Sequence, residues 1–284
     1  MHLKPSVNTK LFGMNNYFNQ ITTLYDNKKM PNKILLSGKK GLGKATLAYH
    51  VINYVLSINE DFKYDKEKLN INIDNKSYKL VQNQSHPNFY LIDLINEKKT
   101  IDISQIREMI QYTTKSSFND KPRFILIDNI EHLNKNSVNA LLKIVEEPNN
   151  GIFFILINNS ERKILPTLKS RCLNFRINFS FIESVDITNS ILNKNILEII
   201  NKDLINYYIS PGEIIMLINL AQDNKINLLE YNLTQLLVLL INNGYYKKDN
   251  SFKNMIINFI ELYFLNTYKL DNSKNTLLSF YHNF

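Results

Sequence analysis

A glycine-rich segment near the N-terminus has the residue types and spacing of a phosphate-binding loop. Gly38, Gly41, Gly43 and Lys44 lie in the segment SGKKGLGKAT, which fits the pattern GxxxxGK. Glycines let successive backbone N–H groups converge on a phosphate, and the first turn of a following helix adds the positive end of its dipole. Lys44 would then reach the terminal phosphates of a bound nucleotide.

The position after Lys44 normally carries the Ser or Thr hydroxyl that holds Mg²⁺ in such loops, and here it is Ala45. Thr46 follows, but one residue along a helix turns a side chain by about 100°, so Thr46 replaces the missing hydroxyl only if the register shifts. Two interpretations stay open. Either Lys44 contacts phosphate, or the loop is inherited, keeps its shape and binds nucleotide weakly or not at all. Thr46 stays among the candidate cofactor-binding residues, and no metal-binding residue is assigned.

A second candidate group follows an apolar run that ends at Ile127. A hydrolysing enzyme with this kind of loop has Asp-Glu there, the Asp for Mg²⁺ and the Glu to polarise water, whereas this chain has Asp128-Asn129. An amide cannot take a proton from water as a carboxylate does, so this position offers no general base. Asp128 remains a candidate cofactor-binding residue. Glu131 and His132 are candidates to replace the missing base, but the simpler interpretation is that they form the solvated start of the next helix.

The third candidate is Arg171, in the sequence Ser170-Arg171-Cys172 just before the apolar stretch Leu173–Ile177. Arginine is scarce in this chain, whose basic residues are mostly Lys. A guanidinium at the rim of a sheet can act as an arginine finger, which neutralises phosphate charge that develops in a neighbour's active site. An intramolecular salt bridge is the alternative, and the residues alone do not separate the two.

These side chains need a sheet to position them, and the stretch Arg123–Ile177 predicts its centre. The runs Phe124–Ile127 and Ile152–Ile157 are too short for helices and rich in β-branched and aromatic residues, so they are interpreted as buried parallel strands. The helix between them ends at Pro148. Asp128 thereby follows the carboxyl end of a strand, where open α/β sheets bind ligands.

The N-terminal part of the chain predicts further elements of the same sheet. We expect helices at Leu11–Lys29, Lys44–Leu56 and Asp102–Lys115, and strands at Lys33–Leu36 and Phe89–Ile92. The predicted fold class is therefore α/β, with a parallel sheet and a phosphate-binding loop after its first strand.

Composition limits the classes of protein that fit. A chain of 284 residues with 44% hydrophobic residues is long enough for two or three domains with ordinary cores. The net charge of +8 is compatible with nucleic-acid contact, but the surplus is nearly all Lys among many Asn and Ile. A coding bias towards A/T-rich codons is the simpler explanation, and a dedicated DNA-binding face is the alternative.

Cysteine usage and targeting signals point to the cell interior. The single cysteine, Cys172, excludes a disulfide framework and a multi-cysteine zinc site, which suits a reducing compartment. Residues 58–84 are polar and charged with few apolar anchors, and they are interpreted as an exposed insertion without a structural metal. An apolar signal core, an Arg-rich presequence and a bilayer-length apolar run are all missing, so we expect a cytoplasmic protein without membrane contact.

The C-terminal third is rich in Ile and Leu at helical spacing. Residues 179–224 predict a small helical domain, and the runs Leu236–Ile241 and Met255–Leu265 predict packed helices within residues 225–284. Apolar faces of these helices would form either an ordinary bundle core or a subunit interface. The sequence pattern is the same in both cases.

Four segments together resemble a known family. Residues 32–48, 85–110, 124–148 and 164–172 are similar to the AAA+ clamp-loader subunits of bacterial DNA polymerase III, and within them most similar to the delta-prime group. The run NALLKxxEEP followed by SRC is highly specific to these proteins. The resemblance is firm for residues 10–178 only.

The resemblance implies an AAA+ domain at residues 1–178, a helical lid at 179–224 and an oligomeric collar at 225–284. In this family the tau/gamma subunits hydrolyse ATP with an intact loop, an Asp-Glu pair and a four-cysteine zinc module. This chain departs through Ala45, through Asn129 and through its cysteine-free insertion. It also has Gly212 and Glu213 in a second-sensor-like segment where an active ATPase has Arg.

These departures imply a delta-prime-like stator with little or no ATPase activity of its own. Arg171 would serve in trans as an arginine finger for the ATP of a neighbouring tau/gamma subunit, while ATP or ADP would bind weakly at Lys44. The implied partners are tau/gamma and delta subunits, with the sliding clamp and primer–template DNA contacted through the complex. The alternative is an active tau/gamma-type AAA+ ATPase; a P-loop small-molecule kinase and a stand-alone DNA-binding protein fit less well.

Overall fold

The computed structural model describes residues 4–95, 98–115, 119–146, 149–160, 162–205, 209–247 and 250–270. Pro148, which was predicted to end a helix, and Glu147 of the EEP run lie outside these residues. The chain divides into two compact units, Met1–Phe179 and Ser180–Phe284. The first unit contains the sheet, and the second is helical in its described part.

The sheet of the first unit has five strands in the described part of the chain, and every pair is parallel. The strands are β1 (Lys33–Ser37), β2 (Phe89–Ile92), β3 (Arg123–Ile127), β4 (Ile152–Asn158) and β5 (Leu173–Arg176). Their order across the sheet is β2-β3-β4-β1-β5. The predicted parallel α/β fold is therefore confirmed, because apolar runs buried on both faces suit parallel strands covered by helices.

Helices cover both faces of this sheet, and along β1 to β4 successive apolar side chains enter different cores. Ile34 and Leu36 pack with α1 (Asn15–Asp26) and α2 (Lys44–Leu56), while Leu35 between them packs with α4 (Ile103–Thr114) and α5 (Lys135–Glu146). The predicted bounds of α2 and β2 match the structure, and α4 begins after Asp102, which caps it. The helices are α1 (Asn15–Asp26), α2 (Lys44–Leu56), α3 (Lys76–Gln82), α4 (Ile103–Thr114), α5 (Lys135–Glu146) and α6 (Pro166–Lys169).

Helix α1 begins four residues later than the predicted start at Leu11. Gly13 has a φ of 68°, which interrupts helical geometry, and the segment before it is extended instead. The Leu11 N–H donates to the Leu69 carbonyl at 3.0 Å, and the Ile71 N–H donates to the Thr9 carbonyl at 2.7 Å. The start of the chain is therefore paired with residues 69–71 rather than coiled into the helix.

The interpretation of residues 58–84 as an exposed insertion was wrong. The segment contains α3 and buries five apolar or aromatic side chains: Tyr64, Leu69, Ile71, Tyr78 and Val81. Asn75 ties the segment both to itself and to α2. Its Oδ1 accepts from the Tyr78 N–H and from Asn53 of α2, and its Nδ2 donates to the Phe62 carbonyl. Widely spaced anchors thus suffice, since a second segment of the chain completes the packing.

The second unit has one hydrophobic core that includes residues from Val185 to Leu262. The two apolar runs predicted as helices lie within α9 (Leu233–Asn242) and α10 (Asn250–Leu270), so these predictions are confirmed. A separate lid at 179–224 and collar at 225–284 stay predictions. The helices of this unit are α7 (Phe181–Leu192), α8 (Pro211–Asp223), α9 (Leu233–Asn242) and α10 (Asn250–Leu270).

Among the described helices, none has both the length and the apolar character needed to cross a bilayer.

Candidate functional site

The glycine-rich loop lies between β1 and α2, as the sequence pattern predicts. Gly38, Gly41 and Gly43 have φ values of 154°, 84° and 86°, which L side chains rarely adopt. A Cβ atom on Gly38 would lie 2.3 Å from the carbonyl oxygen of Ile177, so the loop passes directly against the end of β5. This backbone shape can turn several N–H groups towards one anion.

Lys44 is the first residue of α2, and its side chain lies inside this loop with 2% exposure. Its Nζ donates to the carbonyl oxygens of Gly38 at 2.8 Å and Lys39 at 2.6 Å. An anion that entered the loop would therefore meet an ammonium group already in place. Phosphate contact and an inherited loop both remain compatible with this geometry.

The two residues after Lys44 leave the loop without a hydroxyl at the usual place. Ala45 is half-buried and packs against the core formed with α1 and α2. The Thr46 hydroxyl lies 3.5 Å from the Nδ2 of Asn8, a residue of the extended N-terminal segment. The binding role predicted for Thr46 stays a prediction, with its oxygen engaged by that segment.

Polar side chains at the carboxyl ends of β2, β3 and β4 form one connected network. Asn129 is central to it, in the left-handed conformation with a φ of 56°. Its Nδ2 donates to Asp93 at 2.7 Å, and its Oδ1 accepts from Asn159 Nδ2 at 2.8 Å. The same Nδ2 of Asn159 lies 3.3 Å from Asp128 Oδ1. Asn129 thus connects the ends of three neighbouring strands.

Asp128 is half-buried beside this network, and its pKa is raised to about 6. Burial is the main cause, and the negative charge of Asp93 adds to it. The N–H of Asn129, the charge of Lys44 and a hydrogen bond from Asn159 act in the opposite direction. The structure thus brings the two predicted residues Lys44 and Asp128 into electrostatic contact.

Glu131 and His132 are buried, with 7% and 9% exposure, so their interpretation as a solvated helix start was wrong. They lie in a short 3-10 turn, Ile130–His132, that precedes α5. Glu131 Oε1 accepts the N–H of Asn159 at 3.0 Å, and His132 Nδ1 lies 3.1 Å from the Lys99 carbonyl. The turn folds inward because these polar groups meet partners on neighbouring loops.

Two residues of the site were missed by sequence reasoning. Asp93 directly follows β2 just as Asp128 directly follows β3, so the equivalent position was a usable signal. Tyr49 lies on α2, and its pKa is raised above the ordinary range by burial and then by the charges of Asp128 and Asp93. Its spacing from Lys44 gave no such signal, because the approach to two carboxylates depends on the packing of α2 on the sheet.

Arg171 lies in the turn between α6 and β5, with 37% of its side chain exposed. Its Nη1 donates to the Thr167 carbonyl at 2.8 Å, and its Nη2 lies 2.8 Å from Oε1 of Glu146, whose side chain is 50% exposed. The salt bridge considered as an alternative is therefore present. Next to it, burial raises the pKa of the Cys172 thiol to about 11, so this sulfur stays protonated at neutral pH.

The second-sensor-like segment forms the start of α8. Ser210 caps the helix, and Glu213 Oε2 accepts the Ser210 N–H at 2.8 Å, which makes a capping box. Glu213 Oε1 also accepts from Asn258 Nδ2 at 2.8 Å. The carboxylate at this position stabilises the helical unit.

Comparisons with known proteins find a family model that matches more than half of the chain. Residues 13–180 match the family described as DNA polymerase III, delta subunit. The chain is 32% identical over 162 residues to the DNA polymerase III subunit delta' of Buchnera aphidicola subsp. Schizaphis graminum, covering 56% of this chain and 47% of that protein. It is 31% identical over 186 residues to the gamma subunit of the same organism, covering 64% and 48%.

The chain thus spans about half the length of the curated relatives it matches. Among solved structures, a DNA polymerase III gamma subunit-related protein from Thermotoga maritima is 16% identical with a TM-score of 0.45, covering 93% of this chain and 77% of that one.

Proposed function

Because the chain belongs to the DNA polymerase III delta-subunit family, in its delta-prime clamp-loader branch, we propose that it is a largely non-hydrolysing subunit of a clamp loader. In this proposal it assembles in the cytoplasm with tau/gamma and delta subunits. The complex loads the sliding clamp at primer–template junctions, and this subunit contributes Arg171 to the ATP of a neighbouring subunit.

The observation that carries the non-hydrolysing part is the engagement of Asn129. Its amide both donates to Asp93 and accepts from Asn159, so the side chain is held across the strand ends. An amide is no general base, so Asn129 cannot take a proton from an attacking water. Ala45 adds to this, because the loop lacks the hydroxyl that would hold Mg²⁺ next to the phosphates.

The exposure of Arg171 supports its role in trans. Within the described part of the chain, Nη1 of its guanidinium donates to the Thr167 carbonyl and Nη2 lies in an ion pair with Glu146, so other N–H groups of its five are left for an external anion. An exposed ion pair is worth only about 0–1 kcal/mol, so the contact with Glu146 does not prevent the guanidinium from binding a multiply charged phosphate. Stabilisation of developing phosphate charge is the contribution that such an arginine makes.

The chain's own loop fits a phosphate better than it fits a metal-bound nucleotide. Gly43 and Lys44 would hold the phosphate through backbone N–H groups and the ammonium group, whereas the N–H of Gly38 already donates to the Asn158 carbonyl at 3.3 Å. Ala45 offers no oxygen to the metal, so we propose that ATP or ADP binds weakly here. The chemical contribution of a bound nucleotide to this site would be limited to the charge of its phosphates.

The test is DNA-stimulated ATP hydrolysis by a reconstituted clamp loader that contains this chain. We expect Arg171→Ala to lower the rate by at least about tenfold, since arginine fingers contribute roughly 10³ or more. Lys44→Ala should change it little, and the isolated chain should not hydrolyse ATP. Arg107→Ala, which removes an exposed arginine on α4, is the matched control.

The tau/gamma-type ATPase remains the second candidate, since the similarity to a gamma subunit covers 64% of the chain. Hydrolysis by the isolated chain that disappears in Lys44→Ala would establish this alternative and overturn the stator proposal. An unchanged rate with Arg171→Ala would overturn the role of the arginine alone.

A further inference from the structure

Glu146, at the end of α5, contacts Arg171, the residue that the proposed function assigns to a neighbouring subunit's ATP. It is the last residue of α5, and its Oε1 lies 2.8 Å from Nη2 of Arg171. The other contact comes from α6, where the Thr167 carbonyl accepts from Nη1 at 2.8 Å. The guanidinium is thus fixed at two nitrogens by groups from two different helices.

A surface arginine loses much rotamer freedom when its side chain becomes ordered. Without neighbouring contacts, this loss would occur only when the arginine binds its ligand. Two contacts made in advance remove part of that loss. They also set the plane of the guanidinium, and a planar group binds phosphate well only in a limited range of orientations. Pre-organisation of this kind acts on the rate of a reaction more than on binding of the ground state.

The contact with Glu146 orients the guanidinium of Arg171 but leaves other N–H groups of it available. One carboxylate oxygen is engaged with one Nη2 in the described part of the chain, and the carboxylate itself is half exposed. Pairs in such surroundings are weak and screened by salt. Other N–H groups of the guanidinium stay available, so a phosphate can be bound while the carboxylate keeps its place.

We propose that Glu146 is a positioning residue for Arg171, which holds the guanidinium in the orientation that meets the phosphates of a neighbouring subunit's nucleotide. This inference rests on the proposed function. It assigns to the C-terminal end of α5 a role in the activity of the adjacent subunit, exerted through one side chain.

The experiment measures kcat and KM for ATP in the reconstituted clamp loader. Glu146→Ala should lower kcat by roughly three- to tenfold, as expected for a displaced but intact catalytic group, and should leave KM for ATP unchanged. Glu146→Gln keeps a hydrogen-bond acceptor at the same place and should recover part of the rate. Glu108→Ala, an exposed carboxylate on α4, is the matched control.

The double variant Glu146→Ala/Arg171→Ala separates positioning from a structural role. If Glu146 acts only through Arg171, its loss should have no further effect once Arg171 is gone. A further loss of rate in the double variant, or a higher rate in Glu146→Ala alone, would overturn the inference. If Arg171→Ala left the rate unchanged, the proposed function itself would be wrong. If Arg171→Ala lowered the rate and Glu146→Ala did not, only the positioning role of Glu146 would be wrong.

Discussion

At Gly38 the chain passes so close to a neighbouring strand that a side chain has no room. The position of its missing Cβ is 2.3 Å from a backbone oxygen of Ile177, and backbone atoms cannot move aside as side-chain ends can. Gly151 has a comparable need for positive φ, at 76°, but nothing lies within 4 Å of its Cβ position. Comparing substitutions at the two glycines therefore separates the cost of steric contact from the cost of backbone strain.

We predict that Gly38→Ala lowers the free energy of unfolding by about 3 kcal/mol or more, at the upper end of ordinary single substitutions. Gly151→Ala should cost about 1 kcal/mol, the strain of placing an L-residue at positive φ. Urea unfolding of both variants at pH 7 measures the difference. Equal losses would mean that the approach of the loop to β5 is not tight in solution.

Asn129 shows how one residue changes what a site can do. Read alone, it is a missing carboxylate, whereas in the fold it bridges Asp93 and Asn159 across three strand ends. The carboxylate Asp128 beside it has a raised pKa, because burial and Asp93 disfavour its charge. The strand ends are therefore stabilised by amides where a hydrolysing site would hold free acidic groups.

At the scale of elements, a buried histidine connects three parts of the first unit. His50 lies on α2 and is fully buried. Its Nδ1 is 2.8 Å from the Tyr64 hydroxyl in the segment 58–84, and its Nε2 is 3.0 Å from the Asn8 carbonyl in the N-terminal segment. Since a carbonyl only accepts, Nε2 carries the proton and Nδ1 accepts from the tyrosine.

Burial lowers the pKa of His50 to about 4, and the hydrogen bond to Asn8 opposes this only in part. In the unfolded chain, His50 then binds a proton near pH 6.5, whereas in the folded chain it does so only near pH 4. Stability contributed by the neutral imidazole is complete above pH 6.5 and is lost as the pH falls through this window.

We predict that the free energy of unfolding falls between pH 6.5 and 4, with up to about 3 kcal/mol of the loss due to His50, since one pKa unit corresponds to about 1.4 kcal/mol. His50→Gln should be less stable at pH 7 but should show a flatter pH dependence. Urea unfolding at several pH values measures this, with His86→Gln as comparison, because burial also lowers the pKa of His86 to about 4. Parallel curves for wild type and His50→Gln would contradict the assignment.

At the scale of the whole molecule, each of the two units has a hydrophobic core of its own. The cores on the two sheet faces are formed within Met1–Phe179, and the helical core is formed within Ser180–Phe284. A unit that buries its own apolar residues can in principle fold alone.

We therefore predict that residues 1–179 and residues 180–284, produced separately, each unfold cooperatively. Thermal unfolding followed by circular dichroism measures this, with the full chain as reference. Fragment 1–179 should keep the fold of the sheet, because every described strand lies within it. A non-cooperative transition in either fragment would show that this unit depends on the other.

Local patterns were sufficient for most of the sheet and for the candidate loop. The strands β2 and β4, the helix α2 and the positions of Gly38, Lys44 and Asp128 follow from short apolar runs and glycine spacing, which are local properties. The predicted start of α1 was wrong, because the chain before it is held by backbone hydrogen bonds with Leu69 and Ile71. The apolar periodicity of the α1 segment does not indicate these distant residues.

The sequence by itself determined the parallel α/β class, the phosphate-loop shape and the absence of a hydroxyl at Ala45, since each depends on residue type and near neighbours. Only the tertiary structure decided that residues 58–84 are packed, that Asp93 joins Asn129, and that Glu146 holds Arg171. These contacts join residues far apart in the chain. Their existence depends on how strands and helices are stacked, and residue spacing carries no information about that.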